Sequence, residues 1–269
     1  MNTGKILRLR RIFRHNRAVI IAMDHPMYGG SVPGLEDPLK VIQTIGSSGA
    51  DGILVSPWLI ARHPEVLGDL AFVARLDGGN SKLGPRVDQA RNVNTVEQVL
   101  RYGAEMVAIN VFIGGENEPE MLSKLGETAA ACEDWGVPLL AEMIPSSELD
   151  HHYGRVEARQ IELSDPVGIV SRMGAEYGGD VIKTIYSGNK QEFAALVRTT
   201  TVPILVAGGP KTGSDLKFLT IVKDCIDAGS AGITMGRNVW QRPRVEGMLA
   251  ALCAIVHQDA TVEEALKLL

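Results

Sequence analysis

The sequence predicts an α/β protein, a single (β/α)8 TIM barrel with a short N-terminal helical extension. Eight short apolar segments alternate with helical patterns at intervals of about 25 to 40 residues, as in a closed barrel. The segments are continuously apolar, which is typical of parallel strands covered on both faces. No Gly-x-Gly-x-x-Gly motif follows the first segment, which disfavours a doubly wound open sheet. No linker-like stretch divides the chain, so we expect one domain over residues 1–269.

Each predicted strand is an apolar, often β-branched run that ends at a polar or glycine-containing loop. The first, residues 19–23, ends at Asp24-His25-Pro26. The sixth, Val181-Ile182, follows a glycine pair, stops at Lys183 and opens into a Ser-Gly-Asn turn. The other six are residues 52–55, 71–76, 106–111, 138–143, 202–207 and 232–235.

The predicted helices lie between these strands and show apolar residues at helical spacing. Asp165 and Pro166 begin one of them, with the aspartate as N-cap and the proline in the first turn. The helices are predicted for residues 38–48, 58–65, 95–102, 119–135, 165–177, 190–198, 214–228 and 245–257, and from residue 262. Residues 77–94 are predicted to form a long polar loop. The basic segment 5–14 predicts an amphipathic helix that acts as a lid or as a contact between subunits.

Composition and charge exclude several classes of protein. A net charge of −5 argues against a general nucleic-acid-binding or acidic-membrane surface. No run of 18 or more apolar residues occurs, so neither a membrane span nor a signal peptide is expected. Cys132, Cys225 and Cys253 lack metal-ligand spacing and are typical of thiols in a reducing compartment. We therefore expect a cytoplasmic protein with no bound metal.

The candidate chemistry lies where strands end, because active sites of such barrels form at the carboxyl ends of the strands. Lys183 is the leading candidate. If its side chain points inward among apolar neighbours, burial disfavours the ammonium form, and only the neutral amine attacks a carbonyl. The alternative is a lysine that reaches into solvent. Other polar residues at strand ends are Asp24, His25, Ser56, Asp77, Asn110 and Glu142.

Asp24 and Glu142 interrupt apolar runs, where an inward carboxylate is costly without a purpose. Beside an iminium, such a carboxylate could orient a substrate hydroxyl or carry its proton, with His25 as a further candidate. An aspartate at a strand end also commonly just caps the next loop. We favour the catalytic interpretation for Asp24.

Two glycine-rich turns follow the last two strands, where many barrels bind phosphate with backbone N–H groups and a basic side chain. The first contains Gly208 and Gly209, and the second contains Gly236 and Arg237. A lysine, a nearby carboxylate and a phosphate site together predict a Schiff-base aldolase acting on a small phosphorylated carbonyl substrate.

Five segments in this order resemble the DhnA-type class I aldolases. They are Gly4-Lys-x-x-Arg8-Leu-x-Arg-Ile-Phe13, Met23-Asp-His25, Ile182-Lys-Thr184-x-Tyr186, Val206-Ala-Gly-Gly-Pro-Lys211 and Met235-Gly-Arg-Asn-Val-Trp-Gln241. The family includes archaeal-type fructose-bisphosphate aldolase, 2-amino-3,7-dideoxy-threo-hept-6-ulosonate synthase and phospho-autoinducer-2 thiolase, and the resemblance covers most of the chain. It implies a Schiff-base lysine at Lys183, an active-site carboxylate at Asp24 and phosphate binding by the two glycine turns. It also implies a homo-oligomer, commonly a decameric ring, and no cofactor.

The sequence departs from this family after the fifth strand, where the family's acid–base tyrosine is replaced by Ile144. An isoleucine cannot carry a proton. Candidate replacements are Glu142, His25, Tyr186 and Tyr153. Pro26 also replaces the usual glycine after Asp-His, which is expected to reshape the first loop.

These departures leave several reactions open. The leading prediction is C–C bond formation or cleavage in a small phosphorylated ketose-like substrate through a lysine Schiff base. The alternatives are thiolase-type acyl transfer on a phosphorylated diketone, sugar-phosphate isomerisation or epimerisation, and a catalytically silent sugar-phosphate-binding protein. Cleavage of fructose 1,6-bisphosphate is disfavoured.

Overall fold

The computed structural model describes residues 2–84, 86, 88–148 and 165–269. Eight parallel strands form a closed barrel in the order β1–β2–β3–β4–β5–β6–β7–β8 around the ring, with β8 pairing back to β1. Helices surround the barrel, so the predicted (β/α)8 fold is confirmed. The strands are Ala18–Ala22, Gly52–Val55, Ala71–Arg75, Met106–Ile113, Leu139–Pro145, Val181–Thr184, Ile204–Ala207 and Gly232–Met235, here β1 to β8.

The helices of the described residues are numbered α1 to α12 in chain order. They are Thr3–Ile12, Pro26–Gly29, Pro38–Ser47, Pro57–Arg62, Val96–Arg101, Glu118–Trp135, Pro166–Glu176, Lys190–Thr199, Asp215–Asp227, Arg237–Trp240, Val245–Gln258 and Val262–Leu266. None of these helices has the length and apolar character that a membrane-spanning helix needs.

Three local features differ from the sequence prediction. Strands β4 and β5 extend further than expected, to Ile113 and Pro145. The segment predicted as a long loop contains a short antiparallel pairing of Asp77–Gly78 with Arg91–Asn92. A one-turn helix, α2, follows β1 directly. Elements of two to four residues are too short to show a hydrophobic period, which explains why the sequence did not predict them.

The barrel encloses a small apolar core that α1 closes at the amino-terminal end of the strands. Ile12 is fully buried against the first residues of several strands, and Leu9 and Phe13 pack against the same cluster. The amine of Lys5 holds the helix in place through Asp180, at 2.9 Å. The N-terminal helix α1 therefore closes the barrel at the end opposite the carboxyl ends of the strands.

The register of three neighbouring strands aligns the polar residues of the barrel interior. Asn110 of β4 pairs with Glu142 of β5, and Glu142 pairs with Lys183 of β6. Residues paired in register point to the same face of a sheet. A row of polar side chains therefore crosses the barrel near its carboxyl end.

Candidate active site

A cavity partly open to solvent lies at the carboxyl ends of the strands. Eight of the nine predicted site residues line it: Lys183, Asp24, Glu142, His25, Gly208, Gly209, Gly236 and Arg237. Tyr186 is the exception. Its ring packs against Phe193 of α8, with ring centroids 5.5 Å apart, on the outer side of the barrel.

Lys183 points into the barrel and is 5% exposed, so the alternative of a solvent-facing lysine is wrong. The polar neighbour of its amine is a charged side chain. Its Nζ lies 2.8 Å from Oε1 of Glu142, which is equally buried. Because the two residues are register partners on β5 and β6, the backbone itself fixes this contact.

Arg75, which the sequence analysis missed, links the two carboxylates of the cavity. It ends β3 and is 3% exposed. Its Nε donates to Oδ2 of Asp24 at 2.7 Å, and its Nη2 donates to Oε2 of Glu142 at 2.5 Å. Asp77 lies 3.5 Å from Nη1. The signal in the sequence was an arginine inside the apolar run 71–76, where an inward-facing cation requires acidic partners.

A second buried lysine holds Asp77 on the other side. Nζ of Lys124 donates to Oδ2 of Asp77 at 2.9 Å and to the carbonyl oxygens of Ala90 and Asn110. Burial is the main influence on Lys124, and it lowers the pKa of that amine. Lys124, Asp77, Arg75, the two carboxylates and Lys183 therefore form a continuous series of alternating charges.

Asp24 follows β1 and faces the cationic groups of Arg75 and Lys183. Burial raises the pKa of Asp24, but the charges of Arg75 and Lys183 oppose it and bring the pKa down to about 2. The carboxylate is therefore ionised at neutral pH and acts as a hydrogen-bond acceptor only.

Glu142 is ionised for the same reason. Burial raises its pKa, but the charges of Lys183 and Arg75 outweigh burial and hold the pKa below its usual value. Its two oxygens have different partners. One faces Lys183 and the other faces Arg75.

His25 stands beside Asp24, with Nδ1 at 3.6 Å from Oδ1, and its ring meets Trp240 edge-on at 5.3 Å. Burial lowers the pKa of His25, and with the opposing effect of Asp24 the value is about 4. The imidazole is therefore neutral at physiological pH.

The two glycine turns approach each other and the end of β1. A Cβ on Gly236 would lie 2.3 Å from the carbonyl oxygen of Ala22, so no larger residue fits without movement. Gly209 adopts a positive φ of 61°, which glycine accepts readily. Fully buried Asn238 joins the turns: its amide nitrogen donates to the carbonyls of Gly208 and Pro210, both at 2.9 Å. Arg237 lies at the rim of the same cavity.

Ile144 stands at the position of the family's acid–base tyrosine, and other residues are candidate replacements for that tyrosine. Ile144 is fully buried in β5 and does not line the cavity. Tyr153 lies outside the described residues. Tyr28 of α2, which the sequence analysis did not single out, lines the cavity.

Comparisons with known proteins show the family to which the chain belongs. The sequence model of the DeoC/LacD family aldolases matches residues 18–242. The chain belongs to this family. This DeoC/LacD-family aldolase is 35% identical over 266 residues to 2-amino-3,7-dideoxy-D-threo-hept-6-ulosonate synthase of Halobacterium salinarum, covering 98% of the chain and 96% of that protein. It is 34% identical over 268 residues to 2-amino-3,7-dideoxy-D-threo-hept-6-ulosonate synthase 1 of Archaeoglobus fulgidus, covering 98% and 95%.

A solved archaeal fructose-1,6-bisphosphate aldolase, whose catalytic lysine is covalently bound to the carbinolamine intermediate, superposes with a TM-score of 0.83. It is 26% identical, and the match covers 93% of this chain and 98% of that one. The resemblance to class I aldolases is therefore confirmed. This DeoC/LacD-family aldolase is a lyase of the Schiff-base class.

Proposed function

We propose that this aldolase makes or breaks a C–C bond in a small phosphorylated ketose-like substrate, with Lys183 as the Schiff-base residue. The observation that carries the proposal is the buried amine of Lys183, 2.8 Å from a carboxylate, in a cavity that also contains two glycine turns and an arginine. The amine supplies the nucleophile, and the turns supply N–H groups for a phosphate.

Glu142 is the proton partner of Lys183 in this proposal. The carboxylate takes a proton from the ammonium group, and the neutral amine adds to the substrate carbonyl to give a carbinolamine. Glu142 then returns the proton to the carbinolamine hydroxyl, which leaves as water, and an iminium remains. The iminium withdraws electrons from the bond to be broken, so the chemistry requires neither a metal nor a cofactor.

Asp24 balances the charge on Lys183, and Arg75 holds the carboxylates in position. Because the iminium carries the same charge as the ammonium it replaces, ionised Asp24 can balance it without any change in net charge. Asp24 also accepts a hydrogen bond from a substrate hydroxyl and so orients the carbon skeleton. Arg75 holds Asp24 and Glu142 in place through donors on one rigid guanidinium plane.

The phosphate is proposed to bind at Gly208, Gly209, Gly236 and Arg237. Support comes from the tight approach of the two turns and from the guanidinium at the rim of the cavity. The names of the two synthases with 34% and 35% identity favour C–C bond formation to a seven-carbon keto product. Such a product is therefore the first to assay.

Borohydride trapping tests the proposal. The protein is incubated with phosphorylated ketones of three to seven carbons, reduced, and measured by intact mass and peptide mapping. We expect a stable adduct on Lys183, and none in Lys183→Met. Lys190→Met is the matched control, because Lys190 is half-buried on α8 and pairs with Asp227 away from the cavity. Adduct formation in Lys183→Met, or none in the wild type with any ketone, contradicts the assignment.

Assembly and location are further proposals. Leu7 of α1 is 54% exposed and Ile6 is 39% exposed, which supports the contact between subunits that the resemblance implies. Light scattering of the purified protein tests for a homo-oligomer, in the first instance a decamer, and a monomer contradicts it. A cytoplasmic location is supported by the unpaired cysteines Cys132, Cys225 and Cys253.

A further inference from the structure

The C–C bond step needs a group that gives a proton to the oxygen of the carbonyl acceptor. Asp24 and Glu142 are ionised and accept hydrogen bonds only, and Arg75 does not release its proton. Lys183 is occupied by the covalent bond in the proposed mechanism. The donor is therefore a different residue of the cavity.

Tyr28 is such a residue of the cavity wall. It belongs to α2, which begins at Pro26 immediately after Asp24-His25, and its side chain lines the cavity together with Lys183. Proline at the first helical position sets φ for a helix, so Pro26 favours the start of α2 directly after His25.

The other described tyrosines lie elsewhere. Tyr102 packs against Trp58, Tyr186 packs against Phe193, and Tyr177 is 44% exposed at the end of α7. Among the described residues, Tyr28 is thus the tyrosine that contributes to the cavity wall.

Tyr28 has contacts with Lys82 on one side and with His25 on the other. The backbone N–H of Lys82 donates to the carbonyl oxygen of Tyr28 at 3.0 Å, and Nζ of Lys82 lies 5.8 Å from the ring centroid. On the other side the ring of His25 lies 5.9 Å away. These contacts restrain the position of Tyr28 at the cavity wall.

We propose that Tyr28 is the acid–base residue of the C–C bond step. In bond formation, the π electrons of the enamine on Lys183 form the new C–C bond, and the π electrons of the acceptor C=O move to its oxygen. That oxygen takes the phenolic proton, which leaves an iminium, an alcohol and the Tyr28 phenolate. Water then hydrolyses the iminium to ketone and the Lys183 ammonium. The phenolate takes up the proton that the α-carbon released to solvent when the enamine formed, which restores the phenol. Cleavage follows the same path in reverse.

Charge and burial agree with this role. Burial raises the pKa of Tyr28 to about 12, with Asp24 and Glu142 adding to the rise and Arg237 and Arg75 opposing it. The phenol is thus protonated at neutral pH and available as a donor. The titratable groups of His25 and Lys82 also lie against the ring.

The inference rests on the proposed function, and the test separates the two. Tyr28→Phe removes only the hydroxyl and keeps the ring. We expect it to retain the borohydride adduct on Lys183 while the turnover of the fastest ketone–aldehyde pair falls by about 10²- to 10⁴-fold, the usual size of an acid–base contribution. Tyr177→Phe, on an exposed ring outside the cavity, is the matched control with unchanged turnover.

Every outcome decides one of the two proposals. Turnover of Tyr28→Phe within twofold of the wild type overturns the role of Tyr28, and so does loss of the adduct together with turnover. Failure of the wild type to form the adduct overturns the function of Lys183 instead. If Tyr28→Phe does not fold, site-specific 3-fluorotyrosine at position 28 is used. Its more acidic phenol should move the alkaline limb of the kcat profile to lower pH, and an unchanged limb rejects the proposal.

Discussion

The amine of Lys183 and the carboxylate of Glu142 lie 2.8 Å apart on neighbouring barrel strands, and each of the two residues is 5% exposed. The second oxygen of the same carboxylate accepts a hydrogen bond from Arg75 at 2.5 Å. One oxygen thus faces a group that can lose its proton, and the other faces a group that cannot. Proton movement at Glu142 is therefore directed to the lysine.

Glu142→Gln should slow formation of the Schiff base. The amide keeps the size of the side chain but cannot take up the ammonium proton, so we expect adduct formation to fall by about 10²- to 10⁴-fold. The measurement is a time course of borohydride-trappable adduct by intact mass. Glu127→Gln, at an exposed position on α6, is the control. A wild-type time course in Glu142→Gln would show that another group accepts the lysine proton.

Arg75→Met should destabilise the protein and remove activity. It removes the cation that hydrogen-bonds buried Asp24 and leaves Glu142 with Lys183 as its cationic partner. Breaking a buried pair in this way costs about 3–5 kcal/mol. Urea unfolding at neutral pH measures the loss. Arg198→Met, on an exposed part of α8, should leave stability nearly unchanged.

The effect of Arg75→Met should also depend on pH. In the wild type the pKa of Asp24 is about 2, so its stabilising contribution is complete at neutral pH and is lost only as the pH falls toward that value. In the variant the carboxyl pKa values rise above those of the unfolded chain, so acidification protonates them and relieves the destabilisation. The difference from the wild type should therefore be smaller at about pH 5 than at about pH 7. A difference that grows on acidification would contradict this account.

The sequence predicted the barrel and most of the cavity because each strand is an apolar run and because polar residues at strand ends converge in this fold. Lys183 and Glu142 could be found individually in this way. Their contact could not, because it depends on the register between β5 and β6. Arg75 was missed because its partners come from β1 and β5, far away in sequence. Tyr28 was missed because α2, at four residues, is too short for a periodic signal.

Gly236→Ala should disturb the proposed phosphate site. The added Cβ would lie 2.3 Å from the carbonyl oxygen of Ala22 and 3.0 Å from atoms of His25 and Trp240, so the turn has to move. Overpacking of this kind costs about 1–3 kcal/mol. We expect weaker binding of inorganic phosphate, measured by calorimetry, together with lower stability.

Gly126→Ala is the matched control for that variant. Gly126 lies within α6, and a Cβ there would meet no atom within 4 Å. Alanine in a helix interior is favoured over glycine by about 0.5–1 kcal/mol, so this variant should be at least as stable as the wild type and bind phosphate equally well. Equal phosphate binding by Gly236→Ala would argue against a phosphate site at this turn.

Asn238→Ala should separate phosphate recognition from stability. The Asn238 side chain donates to the carbonyls of Gly208 and Pro210 and accepts from the backbone N–H of Thr212 at 2.8 Å. Losing these bonds, each worth about 0.5–1.5 kcal/mol, frees the first glycine turn from the second. We expect a raised KM for phosphorylated ketones with a smaller change in kcat, and a reduced preference for phosphorylated over unphosphorylated ketones in borohydride trapping. Asn189→Ala removes an exposed helix cap worth about 1 kcal/mol outside the cavity, so it should lower stability without changing that preference. If both variants keep the wild-type preference, Asn238 contributes only to the stability of the fold.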